Sequence, residues 1–164
     1  MKRNPDIFLN TSVIIAAVLS QTGGARKLFL LAEAGLINLV VGLHVLRECE
    51  AVVRRKVPAS LPALAYLLEL GRVEVANRSV TDFIALALGM VNCEPDAIIL
   101  AEALSVVPDW FVTHDKAHYL KANPDTRCSF RIGTPGDLIQ AAVETLHATS
   151  LQTHSAVLKP KQSK

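Results

Sequence analysis

An alternation limits this chain's fold more than any other feature of its sequence. Short runs rich in β-branched and aromatic residues are separated, along the whole chain, by longer segments with helical periodicity. Ile7-Phe8-Leu9, Ile37-Asn38-Leu39-Val40-Val41, Trp110-Phe111-Val112-Thr113 and Ser129-Phe130-Arg131-Ile132 read as strands, with Val73-Glu74-Val75 as a short edge strand. Between them, Ser12 is expected to cap a helix reaching about Leu19, and a second spans Ala25 to Ala34, stopped by Gly35. Further helices are expected over His44 to Lys56, Leu61 to Leu70, Ser79 to Leu88, and Glu94 to about Val106, with the last starting at Thr134-Pro135. A helical crossover returns the chain to the same end of a sheet, so strands separated by helices pair in parallel. The expected architecture is therefore α/β: a three-layer α/β/α sandwich around a central, mainly parallel sheet.

With 164 residues, 51% hydrophobic and 20% charged, the chain can bury a substantial core. We expect one domain over residues 1–147, followed by a flexible tail over 148–164, where Ser, Thr, Gln and Lys take over. A net charge of +2 does not demand nucleic acid, so any basic surface must be local. Cys49, Cys93 and Cys128 lie far apart without a CxxC pair, as expected of inert thiols in a reducing compartment. No apolar run approaches the ~18 residues of a membrane span. Asp6 and Asn10-Thr11-Ser12 break the signal-like start after Met1-Lys2-Arg3, so a cytoplasmic protein is expected. No GxxxxGK[ST] or GxGxxG is present.

Ligands of open parallel sheets bind outside the carboxyl ends of the strands. Asn10 directly follows the first strand, and Asp115 follows the Trp110–Thr113 strand in "FVTHD". Asp96 lies in the first turn of its helix. Each also has a simpler reading: Asp96 complements a helix dipole, Asp115 caps the helix from Lys116, and Asn10 ends a strand. On the His44 helix, Glu48 and Glu50 flank the apolar stripe equally, and periodicity does not choose between them.

Five segments in order, "IFLNTSVIIAAVL", "LVVGLHVLRECEAVVRRK", "EPDAIILAEAL", "WFVTHDKAHYL" and "IGTPGDLI", resemble the PIN-domain family from about Ile7 to Ile139. The resemblance implies that Asn10, Glu48, Asp96 and Asp115 face one another, with Thr113 as an accessory hydroxyl. It further implies that Asn10, Glu48, Asp96 and Asp115 bind Mg²⁺ or Mn²⁺ and that the activity is endoribonuclease cleavage of RNA. Many single-domain relatives of this kind are toxins of bacterial toxin–antitoxin pairs, which implies an antitoxin-like protein partner and a homodimer.

The chemistry suits that donor set. A phosphodiester is anionic, so hydrolysis needs charge neutralisation and an activated water, and a hard dication held by carboxylates supplies both. The sequence departs from the family at Asn10, where aspartate is usual, at Ser12, and at His114, where glycine usually precedes the last acid. An amide oxygen can ligate a metal but carries no charge and cannot act as a base. The resemblance thus leaves two outcomes: a nuclease weakened to three carboxylates, or a catalytically inactive PIN-like domain that binds RNA or protein. His114 and His118 are secondary candidates for proton transfer near Asp115. Arg54-Arg55-Lys56, Lys116, Lys121, Arg127 and Arg131 offer a modest basic path for RNA, and an aromatic content of 5% provides no base-stacking platform. An aspartyl-nucleophile phosphotransferase is excluded, because Asn10 cannot be the nucleophile.

Overall fold

A computed structural model describes residues 3–120 and 128–157. Five strands form one sheet in the order β3-β2-β1-β4-β5, and every neighbouring pair is parallel. They are β1 (Asp6–Leu9), β2 (Asn38–Gly42), β3 (Glu74–Ala76), β4 (Trp110–Val112) and β5 (Arg131–Gly133). Eight α-helices occur among the described residues: α1 (Thr11–Leu19), α2 (Gly24–Glu33), α3 (Leu43–Lys56), α4 (Leu61–Leu70), α5 (Thr81–Leu88), α6 (Glu94–Val106), α7 (Lys116–Leu120) and α8 (Pro135–Val157). The expected parallel α/β sandwich is the observed fold.

Strand order places a crevice at one end of the sheet. The chain lays down β1, β2 and β3 in one direction, then crosses back through α5 and α6 to put β4 on the other side of β1. The order therefore reverses between β1 and β4, which leaves a crevice beyond their carboxyl ends. Leu9 pairs with Val112 at that end, and the Asn10 N–H continues the ladder to the Val112 carbonyl at 3.0 Å. The opposite end is closed by a polar network. Arg3 pairs with both Asp6 and Asp109, and the Asp6 N–H donates to the Asp109 carboxylate at 2.7 Å.

The core lies on both faces of β1. Ile7, Phe8 and Leu9 are fully buried, and Phe8 stacks on Phe111 with centroids 5.7 Å apart. Phe111 also meets the Tyr119 ring at 4.9 Å, tying α7 to the sheet. Helix α6 is buried on nearly every side, from Ala97 to Ser105 apart from Ile98. This explains why it shows little amphipathic periodicity: a helix enclosed all round has no polar face to display.

Several boundaries depart from expectation. Helix α1 starts at Thr11 and its cap is Asn10, whose side-chain oxygen accepts the Thr11 N–H at 2.7 Å; Ser12 lies inside the helix. Gly42 ends β2 and caps α3, so strand passes into helix without a connection. The expected tail is helical as far as Val157, and residues 158–164 fall outside the described residues, as do Lys121 and Arg127 of the basic path. Gly35 has φ +71° and follows the α2 C-terminus, the left-handed position that favours glycine. Among the described residues no single helix is long and apolar enough to cross a membrane.

Candidate functional site

A cleft of ≈ 460 Å³ opens at the carboxyl ends of β1 and β4, and Asn10, Glu48, Asp96 and Asp115 all line it. Four separate segments supply them: the β1–α1 junction, the second turn of α3, the first turn of α6, and the loop after β4. Thr11 and Ser12 complete the polar wall, and Ile15, Ala16, Leu19, Val52 and Ile99 form an apolar one. Glu48, which periodicity could not separate from Glu50, is the glutamate that faces the cleft. Glu50 instead pairs with Arg54 on the helix surface at 2.7 Å.

Behind the cleft lies a buried polar knot centred on Thr113, which is fully enclosed. Its hydroxyl accepts the Asn10 side-chain N–H at 2.8 Å and the Asp115 backbone N–H at 2.9 Å. It also lies 3.5 Å from Ser12 Oγ, which in turn accepts the His114 N–H at 3.1 Å. Asn10 is only 4% exposed, and both ends of its amide are used: the oxygen caps α1 and the nitrogen serves Thr113. An asparagine satisfies this knot without a counter-ion, whereas a carboxylate there would carry uncompensated charge.

The three acids are also held. Glu48 Oε2 accepts the Thr11 hydroxyl. Asp96 Oδ1 accepts the Tyr119 hydroxyl at 3.2 Å, and its Oδ2 accepts the Cys93 thiol at 2.8 Å, with His118 Nδ1 at 3.1 Å. Burial, and then the neighbouring Asp96 carboxylate, push the Tyr119 phenol well above its ordinary range, so it remains a hydrogen-bond donor at any physiological pH. The hydrogen bond to Asp96 likewise raises the Cys93 thiol. Burial takes the Cys49 thiol up to about 12, which makes it inert as expected.

The donors are right in kind for a hard dication: three carboxylates on one concave surface with water access. Their spacing is a separate matter. Among the described residues, no three His, Cys, Asp or Glu side chains stand together at metal-ligand spacing. Of the histidines singled out beside Asp115, His118 faces Asp96, and His114 is engaged through its backbone.

Solved structures with this fold exist. A chain of the VapBC2 complex from Rickettsia felis, solved bound to a DNA fragment from their promoter, superposes with a TM-score of 0.60 at 18% identity, covering 77% of this chain and 96% of that one. A chain of VapBC-1 from nontypeable Haemophilus influenzae gives 0.54 at 18% identity, covering 80% of this chain and 98% of that one. This chain shares their fold. No family model matches the sequence, and no curated protein matches it.

Glu102 is the residue that sequence reasoning missed. It is 6% exposed, and its Oε1 accepts the His44 backbone N–H at 2.7 Å, so a carboxylate from α6 caps the N-terminus of α3, the helix that carries Glu48. Among the described residues its Oε2 has no hydrogen-bond partner. Burial raises its carboxyl, opposed first by the His44 N–H and then by the His44 charge. The signal was present: Glu102 is the one acid inside the apolar run Ala97 to Leu104.

Proposed function

We propose that the cleft is the active site of a metal-dependent endoribonuclease of the PIN type, weakened by asparagine at position 10. The observation that carries this reading is the convergence of Asn10, Glu48, Asp96 and Asp115 on one cleft at the strand-order reversal. Shared fold with chains of two VapBC complexes supports it, as does the ordered set of motifs from Ile7 to Ile139. Glu48, Asp96 and Asp115 would hold Mg²⁺ or Mn²⁺, which supplies charge neutralisation and an acidified water when bound. The chain's own groups do the remaining work. Tyr119 and Thr11 orient the Asp96 and Glu48 carboxylates, Thr113 fixes the loop that presents Asp115, and the apolar wall of Ile15, Leu19 and Val52 limits water around a bound strand. A VapB-like protein partner, an RNA substrate, a homodimer and a cytoplasmic location belong to the same proposal.

Incubation of single-stranded RNA with the protein and Mn²⁺ tests it. Cleavage that disappears in Asp96→Asn supports the assignment, and intact RNA under all metal conditions defeats it. A second reading, a catalytically silent PIN-like domain, is favoured by one observation: the Asn10 amide is committed at both ends to α1 and Thr113. Asn10→Asp separates the two. If the substitution creates cleavage that the parent lacks, the parent is a silenced member of this fold. If parent and variant differ only in rate, the weakened nuclease stands.

A further inference from the structure

A second hollow, of ≈ 440 Å³, lies between α3 and α6 beside the cleft. Helix α3 supplies His44, Arg47 and Glu48 to it. The first two turns of α6 supply Glu94 and three apolar side chains, Pro95, Ile98 and Ile99. Glu48 and Ile99 line the cleft as well, so the two concavities share a wall. A strand whose phosphate lies in the cleft therefore carries a neighbouring nucleotide to the hollow. The volume is that of a small-molecule pocket, and its apolar surface suits a flat ring. We propose that this hollow receives a guanine base of the RNA, read by Glu94 from α6 and Arg47 from α3; the proposal rests on the nuclease reading above.

The charges select a base over a phosphate. Two carboxylates and one guanidinium line the hollow, a balance that repels an anion and suits a neutral group carrying both donors and acceptors. Glu48 takes the Thr11 hydroxyl and belongs to the metal set proposed above, which leaves Glu94 and Arg47 to read an edge. Both are exposed side chains on facing helices. A carboxylate accepts two parallel hydrogen bonds and a guanidinium donates two. Guanine matches both at once: its N1–H and N2 amino group are adjacent donors, and its O6 and N7 are adjacent acceptors. Adenine and cytosine each offer the carboxylate only an exocyclic amine, and uracil only a single ring N–H. Glu94 also complements the N-terminus of α6, but that role does not distinguish one base from another.

The test measures the affinity of labelled five-nucleotide RNAs for the full chain by fluorescence anisotropy with Mg²⁺. The central base is guanine, inosine, 7-deazaguanine or adenine, and the flanking bases are adenine. Asp96→Asn protein, run alongside, keeps the probe uncleaved and retains every residue of the hollow. Guanine should bind at least about tenfold more tightly than adenine, with inosine, which lacks the N2 amino group, in between. In Glu94→Ala the guanine and adenine probes should come within about twofold of each other, with affinity for the adenine probe kept. In the parent, 7-deazaguanine, which lacks N7, should bind more weakly than guanine, and Arg47→Ala should abolish that difference. Equal affinities for guanine and adenine in the parent overturn the site, as does the absence of binding to either. A guanine preference that survives Glu94→Ala overturns it too. The two readings fail separately: guanine-selective binding with RNA left intact under Mn²⁺ refutes the nuclease and leaves the base site, whereas cleavage without base preference does the reverse.

Discussion

A single methyl group at Gly42 should disturb the frame of the site. The backbone there, φ −80° and ψ 162°, is open to any residue, so glycine is required by space and not by conformation. A Cβ would fall 1.9 Å from Glu102 Oε2 and 2.1 Å from its Cδ. The carboxylate has to move, yet it is buried and holds the His44 N–H at the start of α3. Gly42→Ala therefore breaks a hydrogen bond to a charged group, a loss of about 1.5–3 kcal/mol. The reduced entropy of the unfolded chain offsets about 0.4–1 kcal/mol of that. The net expectation is about 0.5–2.6 kcal/mol, or roughly 1–10 °C in Tm for a domain of this size. Urea unfolding followed by Trp110 fluorescence and circular dichroism measures it. The decisive comparison is Gly42→Ala in a Glu102→Ala background, where the added methyl has room and its cost should fall by at least about 1 kcal/mol. Equal costs in both backgrounds, or a cost below about 0.5 kcal/mol in the parent, would refute the close-approach explanation.

Three further outcomes are expected. Val107 ends α6 at φ 56° and ψ 60° while 57% exposed, so Val107→Gly should relieve left-handed strain and raise stability by about 0.5–1 kcal/mol, measured as a higher Tm. Thr113→Val strands the Asn10 side-chain N–H in a buried position and should cost about 1–3 kcal/mol in chemical denaturation, with Thr113→Ser largely restoring it. Glu102 titrates above its ordinary value in the folded chain, so the folded state retains its proton more strongly than the unfolded state does. Its contribution to stability is then full below the ordinary value of 4.5 and is lost as pH rises through the folded value. A pH series of urea midpoints should fall over that interval for the parent and stay flatter for Glu102→Gln.

The sheet and its crossovers were legible because β-branched runs and helical periods carry their own signatures. Leu61–Leu70, bounded by Pro58 and Gly71, was read to the residue. Ser12 was mistaken for the cap of α1 because Ser and Asn cap equally well, and only the register of the preceding strand decides which one stands at the boundary. Asn10 was recognised as a corner of the cleft, but its commitment to Thr113 depends on β4 lying beside β1, a long-range pairing that no local pattern encodes. Glu48 could not be told from Glu50 by periodicity, since both border the same stripe; the packing of α3 against α1 and α6 selects it. Glu102 and Gly42 are 60 residues apart in sequence, and their contact exists only once α6 has crossed over β2. The alternation that revealed the fold says nothing about such a pair.

Glu48 lines the candidate cleft and also a neighbouring trough bounded by His44, Arg47, Glu94, Pro95, Ile98 and Ile99. Its carboxylate is thus a ridge between two basins. A polyanion extended across both must cross that negative crest, which repels it until a cation covers the charge. With the crest neutralised the basins merge into one track, so affinity for oligonucleotides should grow with their length only when a divalent ion is present.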